Sequence, residues 1–377
     1  MEAKFVGSNL RLARIFQDLS LDDLGAKINT SRQYVHKLEI GGAEPNSDLE
    51  MRLAEELGVT PQFFRQPFTQ ALEEEQVHFR SLKTSKASAK LYAVYKARML
   101  LSLVEVFDQH MRLPKPNFPE FSSVDPNAIE KAAEDCRSYW GLGLGPINHL
   151  PRVAERAGAL VLSFDGVSQQ VDALSIPTQR PIIVFNAEKG SACRIRFDIA
   201  HEIGHLVLHV GKKTGDAETE REANHFAGAF LVPRTMMYDH FPAPKGSRFD
   251  WKAISEFKRT WRVSKAALLY RARQLGLLTD SQYKTGVIHL NRNGEARREE
   301  EDRDINFEQP ELLPAAMCYL LDRLDFSLLE IAQKINVSVS TLQAIIGSQA
   351  FGLIPENIKN KNVYTLKELR ESRLKSS

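Results

Sequence analysis

The sequence predicts an α+β chain that is mostly helical, and three observations predict it. Apolar residues recur at helical spacing through the first 65 residues and again from 192 to 231. Three short β-rich runs, ALVLSF, VDALSI and RPIIVFN, follow one another between 159 and 186, separated by Gly, Asp, Gln and Pro. The stretch LPKPNFPEF (113–121) interrupts the pattern, because its prolines cannot continue a helix. Together these predict a five-helix N-terminal bundle (1–65), a helical linker (66–120), a central domain with a small three-stranded sheet (121–280) and a helical C-terminal region (281–377).

A chain of 377 residues exceeds what one hydrophobic core usually organises, consistent with two or three domains. No run approaches the roughly 20 apolar residues of a membrane span, and MEAKFVGSNL lacks the basic-then-apolar layout of a signal peptide. The expected location is therefore cytoplasmic, with no membrane partner. Cys136, Cys193 and Cys318 are too scattered for a disulfide framework, and no C-x-x-C pair offers thiolates. Any metal must be held by His and carboxylate. A net charge of +2 neither favours nor excludes nucleic acid.

In the first element, LSLDDLGAKINTSRQYVHKLEIGGAEP (19–45) reads as two short helices joined by a tight turn. Ser20 caps the first, with Asp23 three residues on and Leu21, Leu24 and Ile28 at helical spacing. Asn29-Thr30 turns the chain, and Ser31 caps a second helix with Val35 and Leu38 inward. In a helix-turn-helix the second helix enters the major groove. The order G-x-x-L-x-x-x-R, L-S-x-x-D-L, S-x-x-Y-V-x-K-L-E-x-G-x-x-x-P resembles the Xre and lambda-repressor-like family over about residues 5–65. The resemblance implies DNA binding, with Arg32, Gln33, His36 and Lys37 on the reading helix and Arg11 near phosphate. Leu21 departs from the family, since many members carry a hydrogen-bonding Gln there. A dimerising or partner-binding bundle is the alternative. In the linker, Arg80, Lys83, Lys86, Lys90, Lys96 and Arg98 occur with no acid between them, as a solvated helix or a second phosphate-contacting face.

The central domain carries RFDIAHEIGHLVLH (196–209). On a helix His201 and His205 are one turn apart on one face, so both imidazoles reach one ion at about 2.0–2.1 Å. Glu202 points beside that ion, placed to accept a proton from water. Gly204 is expected to keep the approach open. Three adjacent polar side chains in an apolar helix need partners, and one divalent cation satisfies them together. A third ligand belongs on another element. His209 continues the row but drifts roughly 80° around the helix from His201, which suits a supporting role. The run ETEREANHFAGAFLVP (218–233) reads as a second helix with Glu220, Ala223, Asn224, Ala227 and Leu231 on one face. Glu220 is thereby the chosen third ligand, with Glu222, on a different face, as the alternative. Asn224 is placed to orient a ligand histidine through its distal nitrogen.

AHEIGHLVLH followed by E-x-x-A-N-x-F-A-x-x-F-L-V-P resembles the ImmA/IrrE family of metallo-endopeptidases, a gluzincin-like group with a zincin-like fold. The likeness runs over about 120–280 and includes VDALS, RPIIVFN and the run from Trp261 to Gly276. It implies a Zn2+ held by His201, His205 and Glu220, and Glu202 as general base. It also implies cleavage of a protein substrate, here a partner Xre-type repressor or the chain itself, in control of stress, prophage or toxin-antitoxin genes. A substrate backbone is expected to pair with a sheet edge at RPIIVFN, and His225, Arg194 and Tyr238 are the candidates for stabilising an oxyanion.

In the C-terminal region, FSLLEIAQKINVSVSTLQAI (326–345) aligns without gaps with LSLDDLGAKINTSRQYVHKL (19–38), as a second helix-turn-helix or a hairpin using the same caps. RNGEARREEEDRD (292–304) reads as a solvated connection. Two function classes remain open. One is a regulator with zinc endopeptidase activity, possible as a homodimer; the other is a non-catalytic transcription factor or antitoxin-like module whose peptidase-like domain senses or binds.

Overall fold

The computed structural model describes residues 4–66, 78–81, 87–121, 125–164, 171–187, 190–212, 214–246 and 248–359. The chain forms two compact units, one of residues 1–74, 86–113 and 312–377, the other of 75–85 and 114–311. Lys83 and Lys86 of the basic run lie outside the described residues.

The first unit opens with α1 (Gly7–Phe16), α2 (Leu21–Lys27), α3 (Arg32–Glu39) and α4 (Ser47–Leu57), followed by a 3-10 turn at Pro61–Arg65. Ser20 and Asp23 form the expected reciprocal cap of α2, and Ser31 accepts the backbone N–H of Tyr34 at the start of α3. Leu24, Ile28, Val35 and Leu38 are buried. The long helix α5 (Ala87–His110), part of the expected linker, packs against α1, with Tyr92 and Tyr95 on Phe16. Lys96 is buried in it rather than solvated.

The C-terminal residues of this unit repeat the N-terminal hairpin closely. Ser327 and Glu330 form a reciprocal cap on helix Leu328–Lys334, and Ser338 caps helix Val339–Ile346. Asn336, aligned with Asn29, has φ 58°, and Asn29 has φ 54°. Both turns place an asparagine in the left-handed region, where its short polar side chain is tolerated. Ile331, Ile335, Leu342 and Ile345 are buried like their counterparts Leu24, Ile28, Val35 and Leu38. The copy's turn is sealed against the first bundle: the backbone of Ser338 donates to Gly58 O at 2.9 Å and that of Thr60 to Asn336 O at 2.9 Å.

The second unit is built on a sheet of β1 (His78–Ser81), β2 (Leu160–Phe164), β3 (Val171–Ile176) and β4 (Ile182–Asn186) in the order β1-β3-β4-β2. β2 pairs parallel with β4, while β3 pairs antiparallel with β4 and with β1. The three expected strands are present, and residues 78–81 add a fourth. β4 is buried along its length, as its unbroken apolar run requires. It pairs on both sides, so the substrate edge expected at RPIIVFN does not exist.

Helices α7 (Leu150–Arg156) and α8 (Ala192–Leu208) pack on this sheet, α9 (Ala217–Leu231) packs on α8, and α6 (Pro126–Tyr139) on α9. Gly204 has a different role from the one expected. A Cβ there would lie 3.1 Å from Phe226 and 3.3 Å from the Ala223 backbone, so its absence lets α9 approach α8 closely. Buried Ala223 and Ala227 serve the same contact. The acidic run 299–302 is also not a solvated connection. Lys258 is buried, and its ammonium lies 2.6 Å from both Glu299 and Asp302. Desolvating an ammonium is costly unless carboxylates surround it, which draws the run inward.

Candidate metal centre

The close contact of α8 and α9 brings two imidazoles of one helix against a carboxylate of the other. His201 Nε2 and His205 Nε2 lie 3.0 Å apart, and each stands 3.4 Å from a different Glu220 oxygen. Four donors about 2.0–2.1 Å from one tetrahedral ion stand about 3.3 Å from each other. The triangle therefore has the dimensions of three zinc ligands. Both histidines are fully buried, and the Glu220 side chain retains 27% exposure, so the centre opens past Glu220.

The far nitrogens of the two imidazoles decide what the near ones can do. His201 Nδ1 lies 3.1 Å from Asn224 Oδ1, where the ring N–H donates to the amide oxygen. His205 Nδ1 lies 2.9 Å from His209 Nδ1, and His209 Nε2 lies 2.8 Å from Glu222 Oε2. With His209 donating to Glu222, its Nδ1 accepts from His205. Each Nε2 then presents a lone pair toward the other at 3.0 Å, a repulsive arrangement that a shared cation relieves. The donor set thus fits a divalent metal such as zinc. Burial lowers the His209 pKa, with Glu222 acting the other way.

Glu202 is fully buried and accepts a 2.6 Å hydrogen bond from the Ser175 hydroxyl on β3. Sequence reasoning assigned no role to Ser175, although it lies within the recognised VDALS run. The residues considered for an oxyanion are committed elsewhere or remote. His225 binds Glu130 at 2.6 Å, the exposed Tyr238 donates to Leu275 O, and Arg194 lies about two turns before His201. A cleft of about 370 Å³ meets Glu220 and Asn224, walled by Phe197, Ala267 and Tyr270.

On α3, Arg32, Gln33, His36 and Lys37 are all exposed along one side, and Arg32 makes an exposed ion pair with Asp22 at 3.2 Å. Arg11 is exposed on α1. In the repeated hairpin Ser340 and Ala344 are exposed, and the start of the helix abuts Gly58.

Residues 10–64 match the family model described as helix-turn-helix, and residues 154–273 match the one described as IrrE N-terminal-like domain. The chain joins a helix-turn-helix domain to an IrrE N-terminal-like, metallopeptidase-type domain. The IrrE-like match spans β2 to β4, α8 and α9, and so contains every member of the His/Glu cluster. The helix-turn-helix match contains α2 and α3, and it identifies the chain as a DNA-binding type of regulator. No curated protein matches the chain. The crystal structure of ComR from Streptococcus suis aligns with 100% of this chain and 97% of its own, at 11% identity and a TM-score of 0.16, too low to carry an argument. No helix among the described residues is long and apolar enough to cross a membrane.

Proposed function

We propose that the chain is a transcriptional regulator with zinc-dependent endopeptidase activity, cutting a partner Xre-type repressor or itself. The observation that carries this reading is the convergence of His201, His205 and Glu220 at 3.0–3.4 Å with buried Glu202 beside them. A site whose only purpose was structural would close its coordination with a fourth protein ligand and would have no need of Glu202. Zinc held by those three residues would polarise the scissile carbonyl and make water acidic enough to lose a proton.

The remaining work falls to the chain. Glu202 accepts the water proton and returns it to the leaving amine, so its carboxylate must begin ionised and stay aimed. Ser175 fixes one Glu202 oxygen by hydrogen bonding. Asn224 and the His209–Glu222 pair hold the histidine rings in the tautomer that presents Nε2. On the other domain, Arg32, Gln33, His36 and Lys37 would contact an operator, Arg32 exchanging Asp22 for a base edge. The regulated genes belong to stress, prophage or toxin-antitoxin systems in this reading.

The test is to incubate zinc-loaded protein with repressors encoded near it, and with itself, and to map new termini by mass spectrometry. The reading predicts one discrete cut that Glu202→Gln abolishes without loss of zinc. Cleavage that persists in Glu202→Gln would refute it.

A further inference from the structure

We propose that the outer edge of β3 is where this centre receives a peptide, and that the chain's own strand β1 fills that edge in place of substrate. The inference rests on the peptidase reading above, because it concerns how a peptide backbone comes alongside Glu202.

Ser175 links the sheet to the chemistry. Its backbone belongs to β3, and its hydroxyl lies 2.6 Å from Glu202. A strand added beside Ser175 therefore runs past the general base. β4 occupies the inner edge of β3, which leaves the outer edge for an added strand. That edge carries β1 in antiparallel pairing, with His78 opposite Ser175, Phe79 opposite Leu174 and Arg80 opposite Ala173. Opposed residues of such a pair lie about 4.5–5.5 Å apart at Cα, so the backbone of His78 is one strand spacing from the residue that holds Glu202. Extended peptides add to open sheet edges by this same main-chain hydrogen bonding, largely independent of their side chains.

β1 has the properties of a displaceable occupant. It is four residues long, and its register against β3 breaks between Arg80 and Ser81, whereas β3 and β4 pair in unbroken register. Being tethered, it competes at an effective concentration of about millimolar. A protein substrate must therefore offer an extended, strand-forming segment and must outcompete β1. The segment 78–81 also lies, in sequence, between the helix-turn-helix match and the IrrE-like match.

The experiment uses full-length, zinc-loaded Glu202→Gln protein, which separates binding from cleavage, and a fluorescein-labelled peptide of residues 75–85. Phe79→Pro and Arg80→Pro are added singly, because successive residues alternate in which N–H faces β3. At least one proline variant should bind the peptide tenfold or more tighter than its parent in fluorescence anisotropy. Equal weak binding by the parent and both variants, with zinc content intact, would overturn the proposal. Peptide uptake by a chain that holds no zinc would instead overturn the peptidase reading and leave the edge. If the variants fail to fold, hydrogen exchange on the parent decides. Isotopically labelled peptide at millimolar concentration should speed exchange at 78–81 and leave 182–186 protected, and unchanged exchange at 78–81 would contradict β1 displacement.

Discussion

His205 Nδ1 lies 2.9 Å from His209 Nδ1, and this one contact turns a third histidine of the same helix into the support of the second. The far side of His209 is anchored on Glu222 at 2.8 Å. Residues that orient a ligand histidine typically contribute about ten- to a hundredfold in metal affinity. His209→Ala should therefore weaken zinc binding by about that factor, measured by competition with a chelating dye, while the chain stays folded. An unchanged affinity would show that His209 only fills space.

Ser175→Ala removes the hydrogen bond that aims Glu202. A hydrogen bond to a charged group is worth about 1.5–3 kcal/mol, so cleavage should slow about ten- to a hundredfold. Zinc content should not change, since the Ser175 hydroxyl bonds Glu202, which is not one of the three ligands. Loss of zinc in this variant would contradict the assigned role.

Glu130 on α6 is a buried carboxylate paired with Arg271 at both oxygens and with His225 at 2.6 Å. Burial raises its pKa, but the hydrogen bonds and charges of Arg271 and His225 outweigh that and bring it down to about 2. A depressed folded-state pKa stabilises the fold above the unfolded value of about 4.5 and ceases to do so as pH falls toward 2. Acid should therefore weaken the second unit through this window. Glu130→Gln should cost about 3–5 kcal/mol at neutral pH by leaving Arg271 uncompensated, and should flatten the acid slope in denaturant titrations.

Much of this centre was legible in the sequence, for reasons that particular residues make plain. Helical periodicity alone puts His201 and His205 on one face, and Glu220 and Asn224 on one face of the next helix. What remained hidden depended on contacts between distant segments. Ser175 meets Glu202 across the packing of a strand on a helix, and no local pattern marks a serine in an apolar run as a partner. Gly204 beside the histidines suggests an opening for chemistry, whereas helix packing needs it. The charge of the run 292–304 suggests a solvated segment, but Lys258, 41 residues before Glu299, draws its carboxylates inside. Four residues outside any alternating pattern carry too little signal to mark the fourth strand.

The repeated hairpin bears on DNA binding. Arg32 and Lys37 stand exposed on α3, whereas the matching C-terminal helix carries Val339 and Ala344 at those positions and its turn is hydrogen-bonded to Gly58 and Thr60. Arg32→Ala should cost about 1–3 kcal/mol of operator affinity, and Lys37→Ala should lower the salt slope by about one. Ser340→Ala and Gln343→Ala should leave operator affinity unchanged in gel-shift titrations. A loss with those two variants would make the second hairpin a reader as well.

In the proposed function, one divalent ion is gripped between α8 and α9. Elemental analysis of zinc-repleted wild-type, Glu202→Gln and His201→Ala protein tests it most directly. One zinc per chain is expected in the first two and almost none in the third. Wild-type protein that remains zinc-free after repletion, or His201→Ala protein that still carries one ion, would contradict it.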